Sequence, residues 1–176
     1  MSVSSSSVAS LAEMARVYVS VGSNIEPAAN IRSAIRQLRQ HYPDLLISSV
    51  YESEAVGFAG DNFYNLVVAF ETDDDVFKVA NVLRAIEDSH ARDRKGPRFS
   101  SRTIDLDLLL YDDAIINQDS VNIPRDEITK NAFVLWPLAE IAADRVHPQT
   151  GCTFAAMWQH YNKESQSLWP IDFDWD

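Results

Sequence analysis

The run Arg102-Thr103-Ile104-Asp105-Leu106-Asp107-Leu108-Leu109-Leu110 carries the residue types and spacing in this 176-residue chain best suited to chemistry. Strand alternation predicts Thr103, Asp105 and Asp107 on one side and Ile104, Leu106, Leu108 and Leu110 on the other. The two carboxylates then share a face about 7 Å apart along the backbone. Like charges at that spacing repel, and burying them without a counter-charge is costly. A hard divalent cation removes the conflict, since Mg²⁺ favours a few carboxylates together with substrate phosphate oxygens. The alternative is a solvated sheet face with no ligand. What precedes the pair favours the cation: Arg92, Arg94, Lys95, Arg98 and Arg102 stand against Asp93 alone, a net +4 in eleven residues. Arginines contact phosphate bidentately and stabilise the charge that develops in phosphoryl transfer, so the pattern points to metal plus polyphosphate.

No G-x-x-x-x-G-K-[ST] loop occurs, so a nucleotide is not held by a P-loop. Gly22-Ser23-Asn24 reads as a tight turn. Phe63, Tyr64 and Asn65, with Phe133 later, offer aromatic faces and one amide that can both donate and accept towards the edge of a planar heterocycle; core packing is the competing explanation for each. Glu87 reads as a surface charge. None of His41, His90, His147 and His160 stands where a general base can be assigned.

These residues need a scaffold, and the chain encodes one. Residues 16–22 are β-branched and run into Gly-Ser-Asn, predicting a strand. Residues 27–41 place Ile31, Ile35 and Leu38 at helical spacing behind Pro27. Strands are predicted at 45–51, 63–71 and 103–111, and an amphipathic helix at 73–90 with acidic residues at its start. The resulting β-α-β-β-α-β order is the split βαβ, ferredoxin-like arrangement of the α+β class, an antiparallel sheet with both helices on one face. Beyond it, residues 114–123 read as a hairpin or edge strand ending at Pro124. Residues 131–142 precede a helical turn, 154–161 form an amphipathic stretch, and LWPIDFDWD makes an acidic aromatic end that reads as extended. Residues 1–14, with six serines, read as a disordered extension, leaving 15–176 as one domain.

Composition narrows the function. A net charge of −11 and pI near 4.7 oppose nucleic-acid or anionic-membrane binding. One cysteine, Cys152, excludes an internal disulfide framework. No apolar run is long enough for a membrane span, and the N-terminus lacks the basic and apolar regions of a signal peptide. A soluble cytoplasmic protein is expected, with a monomer favoured.

The segments VSVGSN (19–24), VYESEAVGFAGDNFYN (50–65), IED with R-x-R and GPR (86–98), RTIDLDLLLY (102–111), and FVLWPLAEIAAD with HPQTG (133–151) resemble the 6-hydroxymethyl-7,8-dihydropterin pyrophosphokinase family of folate biosynthesis. The resemblance spans roughly residues 16–151 and implies a ferredoxin-like fold and transfer of pyrophosphate from ATP to the pterin hydroxymethyl oxygen, releasing AMP. It implies Asp105 and Asp107 as ligands of two Mg²⁺ ions, and Arg92 and Arg102 as catalytic arginines. Arg94, Arg98, Glu87 and Leu108 fall at nucleotide positions. Asn65 matches the residue that reads the pterin amide edge, Phe133 one of the stacking rings, and Ser53 and Val56 the loop that meets the pterin, while Phe63 stands in the place of a stacking tyrosine and keeps an aromatic face.

The chain departs from the family pattern at several places. Arg125 follows Pro124 where an imidazole is usual, Asn131 replaces an arginine that helps hold ATP, Arg84 replaces a glutamine beside ATP, and Phe99 replaces a tryptophan. Arg84 and Arg125 are still expected at the ATP site. The departures motivate an alternative, a catalytically impaired pterin- or nucleotide-binding paralogue with a regulatory role. An RNA-recognition module shares the element order, but its aromatic signature is missing from FYNLVVAF.

Overall fold

The computed structural model describes residues 14–54, 61–90 and 103–176. The expectation of disorder for residues 1–14 therefore falls outside the described residues, Met14 excepted. Strand β1 (Ala15–Ser23) leads through Pro27 at the first helical turn into α1 (Pro27–His41). Two short strands follow, β2 (Leu46–Ile47) and β3 (Val50–Ser53), then β4 (Phe63–Thr72) and α2 (Val76–His90). Strand β5 (Asp105–Tyr111) precedes a hairpin of β6 (Ile116–Gln118) and β7 (Val121–Ile123), whose Asp119 and Ser120 both take positive φ, as a tight primed turn requires. The chain ends in α3 (Glu127–Lys130), α4 (Ala132–Ile141), α5 (Phe154–His160), a 3₁₀ turn (Lys163–Ser165) and β8 (Leu168–Ile171).

The main sheet runs β5-β1-β4-β3-β8, with β2 also pairing on β4, and every pairing is antiparallel. One face carries Val17, Val19, Val21, Leu66, Val68 and Phe70, covered by the apolar stripes Ile31, Ile35 and Leu38 of α1 and Val79, Leu83 and Ile86 of α2. Both helices share that face, as the sequence predicts. The opposite face is covered too: Tyr18, Val67, Ala69 and Leu109 pack under Val134, Leu135 and Leu138 of α4 and Phe154 of α5.

Four expectations are corrected. The single strand predicted at 45–51 is divided. Ser48 turns its hydroxyl, rather than a backbone group, to accept from the Val67 N–H at 2.9 Å, while the Ser49 N–H and hydroxyl donate to the Glu140 carboxylate. The helix predicted from 73 starts at Val76, because Asp75 accepts from the Lys78 N–H at 2.8 Å as its cap. Residues 132–141 form a helix of three turns, with Pro137 inside it, rather than a late helical turn. Finally, the β1–β5 register slips between Tyr18 and Val19, which pair with Leu110 and Leu108. Leu109 is the extra residue of a bulge, so Leu110 joins Leu109 under α4 instead of sharing the face of Leu106 and Leu108.

After α4, His147 is buried in a turn that closes with Gly151 at positive φ. Its Nδ1 accepts from the Gln149 and Thr150 N–H groups at 3.1 and 3.2 Å, which requires an unprotonated nitrogen. Burial lowers its pKa below the usual 6.5. The unfolded chain therefore binds the extra proton first, and the contribution of this turn to stability is complete above about pH 6.5 and is lost as pH falls towards the folded value. His147→Asn keeps an acceptor that does not titrate. Thermal denaturation between pH 7.5 and 5.5 should show a shallower acid decline in His147→Asn than in the wild type; parallel declines would remove this role.

Candidate active site

The second sheet face is open at the end where β1 carries its smallest side chains. Cross-strand pairing places Gly22 between Asp105 of β5 and Asn65 of β4, and Ser20 between Asp107 and Val67. Asp105, Gly22 and Asn65 thus form one row across three strands, all on the face covered further along by α4. Gly22 is needed here for space: a Cβ on it would stand 2.9 Å from the Asn65 Oδ1. Gly22 lies within β1 rather than in the tight turn expected of Gly22-Ser23-Asn24. A glycine inside an otherwise β-branched strand is itself the signal that something approaches closely.

The floor supports a cavity of about 290 Å³, close to the lower bound of small-molecule sites. Asp105 and Asp107 line one side, Ser53 and Asn65 another, and Phe63 and Phe133 supply aromatic walls. Asn65 is buried and its Nδ2 donates to the Ser53 Oγ at 2.9 Å, which fixes the amide and leaves a second N–H and the carbonyl for a partner. Phe133 is the second residue of α4, so its ring is placed by the start of that helix. The cavity brings together Ser53, Phe63, Asn65, Asp105, Asp107 and Phe133 of the sequence-predicted residues, and adds Ser20, Gly22, Glu127 and Asn131.

A second cavity, of about 140 Å³, lies on the other side of β5. Arg84 and Glu87 of α2, Leu108 and Asp107 of β5, and Arg125 line it. Asp107 borders both cavities. Glu87 is more than a surface charge: its Oε2 accepts from the Leu106 N–H at 2.8 Å. β5 ends the sheet, so this carboxylate satisfies an edge donor of the residue between the two aspartates. Arg84 donates to the Asn81 side chain at 3.1 Å.

Arg125 reaches the same place from a different direction. Its N–H donates at 3.1 Å to the carbonyl of Leu109, the bulged residue. Its guanidinium stands 3.5 Å from Asp107 Oδ1 and 2.7 Å from Glu127 Oε2. The cation at this position thus faces the acidic pair and lines the second cavity at once. Of the remaining predicted residues, Val56, Arg92, Arg94, Arg98 and Arg102 lie outside the described residues, as does Phe99. The boundaries of segment 91–102 are tied together: the Thr103 hydroxyl donates to the His90 carbonyl, and the Ser23 hydroxyl donates to the Thr103 carbonyl.

A family model described as 7,8-dihydro-6-hydroxymethylpterin-pyrophosphokinase (HPPK) matches residues 18–143. The chain is 33% identical over 141 residues to a 2-amino-4-hydroxy-6-hydroxymethyldihydropteridine pyrophosphokinase of Haemophilus influenzae, covering 78% of this chain and 88% of that one. It is 33% identical over 137 residues to the protein of the same name from Aquifex aeolicus, covering 77% and 85%. Among solved structures it is similar to wild-type Plasmodium falciparum HPPK-DHPS with pterin and p-hydroxybenzoate, at a TM-score of 0.67 and 14% identity over 86% of this chain. That likeness concerns the fold, and the chain spans 44% of that structure.

The row through Gly22 makes a direct test possible. Gly22→Ala should cost about 1–3 kcal/mol through overpacking, read as a lower denaturation midpoint, and should move the Asn65 side-chain amide resonance. A midpoint and resonance both unchanged would show that the close approach is not required.

Proposed function

Because the chain belongs to the 7,8-dihydro-6-hydroxymethylpterin-pyrophosphokinase family, we propose that its larger cavity receives 6-hydroxymethyl-7,8-dihydropterin and its smaller one the phosphates of ATP. The activity is transfer of pyrophosphate from ATP to the pterin hydroxymethyl group in folate biosynthesis. The observation that carries the assignment of cavities is that Asp107 borders both, so the junction between donor and acceptor falls at the acidic pair. The sheet order β5-β1-β4-β3, with α1 and α2 on one face, supports reading the core as ferredoxin-like.

In the larger cavity the fixed Asn65 amide and the Ser53 hydroxyl suit the amide edge of a pterin, and Phe63 and Phe133 its two faces. This orientation turns the hydroxymethyl group towards Asp105 and Asp107. The hydroxymethyl oxygen forms a bond to the β-phosphorus, the bond from that phosphorus to the α-phosphate oxygen breaks, the hydroxyl proton departs, and AMP leaves. Two carboxylates on one face, with no third protein ligand gathered among the described residues, fit Mg²⁺, which completes its shell with substrate phosphates and water. When bound, two such ions would neutralise phosphate charge and orient it for in-line attack. Arg125 keeps a permanent cation on the nucleotide side, and Arg84 and Glu87 border the same cavity. By the family resemblance, Arg92 and Arg102 stabilise the transferring group, and Arg94, Arg98 and Leu108 contribute to ATP binding. Positioning and electrostatics of this kind need no strong general base.

Among the described residues no helix is long and apolar enough to cross a membrane. Incubation with ATP, Mg²⁺ and 6-hydroxymethyl-7,8-dihydropterin should release AMP in step with pterin pyrophosphate. Asp107→Ala should reduce turnover about 100-fold or more with an unchanged circular dichroism spectrum. A wild-type protein that releases no AMP where a control enzyme does would favour the impaired, regulatory paralogue, and full activity in Asp107→Ala would remove the assignment of the junction.

A further inference from the structure

The family match ends at residue 143, yet the chain beyond it returns to the larger cavity. Strand β8 pairs antiparallel with β3, with Leu168 opposite Ser53. The tail is thereby registered on the strand that carries one of the cavity's polar groups. Just before β8, Gln166 reaches across to the start of α4. Its Oε1 accepts from the Ala132 N–H at 2.8 Å, and its Nε2 donates to Asn131 Oδ1 at 3.1 Å and to the Lys130 carbonyl at 3.4 Å. The Tyr161 hydroxyl donates to the same Lys130 carbonyl at 2.7 Å.

Helix α4 needs this contact. Its first N–H groups have no intrahelical acceptor, and the N-cap residue Asn131 makes no capping bond with its own side chain. Gln166 supplies the acceptor from a distant part of the chain. The next residue is Phe133, whose ring walls the larger cavity. Beside that ring lies a further cavity of about 260 Å³, shared by Ser53, Glu54 and Phe133 with Glu164, Gln166 and Leu168 of the tail. On that side the ring borders open space, while elsewhere it packs against the second-face core, so the start of α4 sets how far the ring stands towards Ser53 and Asn65. Asn131 is one of the positions at which the chain departs from the family pattern. Here its amide is engaged by a residue of the C-terminal segment.

We propose that Gln166 is a positioning residue for the pterin site. It caps α4 from the C-terminal segment, sets the Phe133 ring against Ser53 and Asn65, and makes the tail a determinant of pterin affinity but not of nucleotide affinity. The inference rests on the substrate reading above. Its test is calorimetric titration of wild type, Gln166→Ala and Gln166→Glu with 6-hydroxymethylpterin and, separately, with a non-hydrolysable Mg-ATP analogue. Glutamate keeps an acceptor for the Ala132 N–H. Gln166→Ala should weaken pterin binding about tenfold and leave analogue binding within about twofold, and Gln166→Glu should recover most of the loss. Equal pterin affinity in Gln166→Ala and wild type would overturn the proposal, as would an equal loss for both ligands, which marks general destabilisation. A wild-type protein that binds the analogue but no pterin would overturn the substrate reading and this inference with it.

Discussion

Asp105 and Asp107 project from an edge strand onto the same side of the sheet, and the local architecture follows from holding two like charges there. On the inner side β5 is clamped by nine-residue β1, which sets Gly22 and Ser20 opposite the two aspartates. On the outer side the Glu87 carboxylate takes the N–H of Leu106 between them. Arg125 brings positive charge to within 3.5 Å of Asp107. Both partners of that pair are about one-third exposed, so it contributes little to stability. Its consequence is local: it keeps a cation beside a cavity whose charged lining among the described residues, Glu54, Asp105, Asp107 and Glu127, is acidic.

The bulge at Leu109 links this electrostatic arrangement to the fold. By inserting one residue it sends Leu109 and Leu110 together under α4 and α5, where they help bury the second face. It also leaves the Leu109 carbonyl to accept from the Arg125 N–H. A strand without the extra residue would turn Leu110 to the other face and remove that anchor. Packing of the second face and placement of Arg125 thus share one irregularity in the ladder.

Much of this was legible in the sequence because it follows from periodicity. The alternation Asp105, Leu106, Asp107, Leu108 fixed which side carries the carboxylates, and the stripes Ile31, Ile35, Leu38 and Val79, Leu83, Ile86 fixed the faces of both helices. The aromatic and amide residues Phe63, Asn65 and Phe133 could be named, although only cross-strand pairing shows that Asn65 and Asp105 are joined through Gly22. What escaped depends on partners far apart in the chain. The bulge arises from the fit of β5 against β1, the break at Ser48 and Ser49 from Glu140 in α4, and the cap on Ala132 from Gln166. No window of a single segment contains these pairs. The tail read as merely extended because LWPI has no alternation of its own, and its pairing with β3 becomes evident only once β3 is seen to need an outer neighbour.

The net charge of −11 describes the chain as a whole and conceals a site at which cations and carboxylates alternate over a short distance. The two cavities adjoin at Asp107, and the proposed transfer requires both to be occupied together. Calorimetric titration of a non-hydrolysable Mg-ATP analogue into protein saturated with 6-hydroxymethylpterin tests this most directly. One analogue should bind per chain with the pterin retained. Displacement of the pterin by the analogue would place both ligands in one cavity and contradict the account.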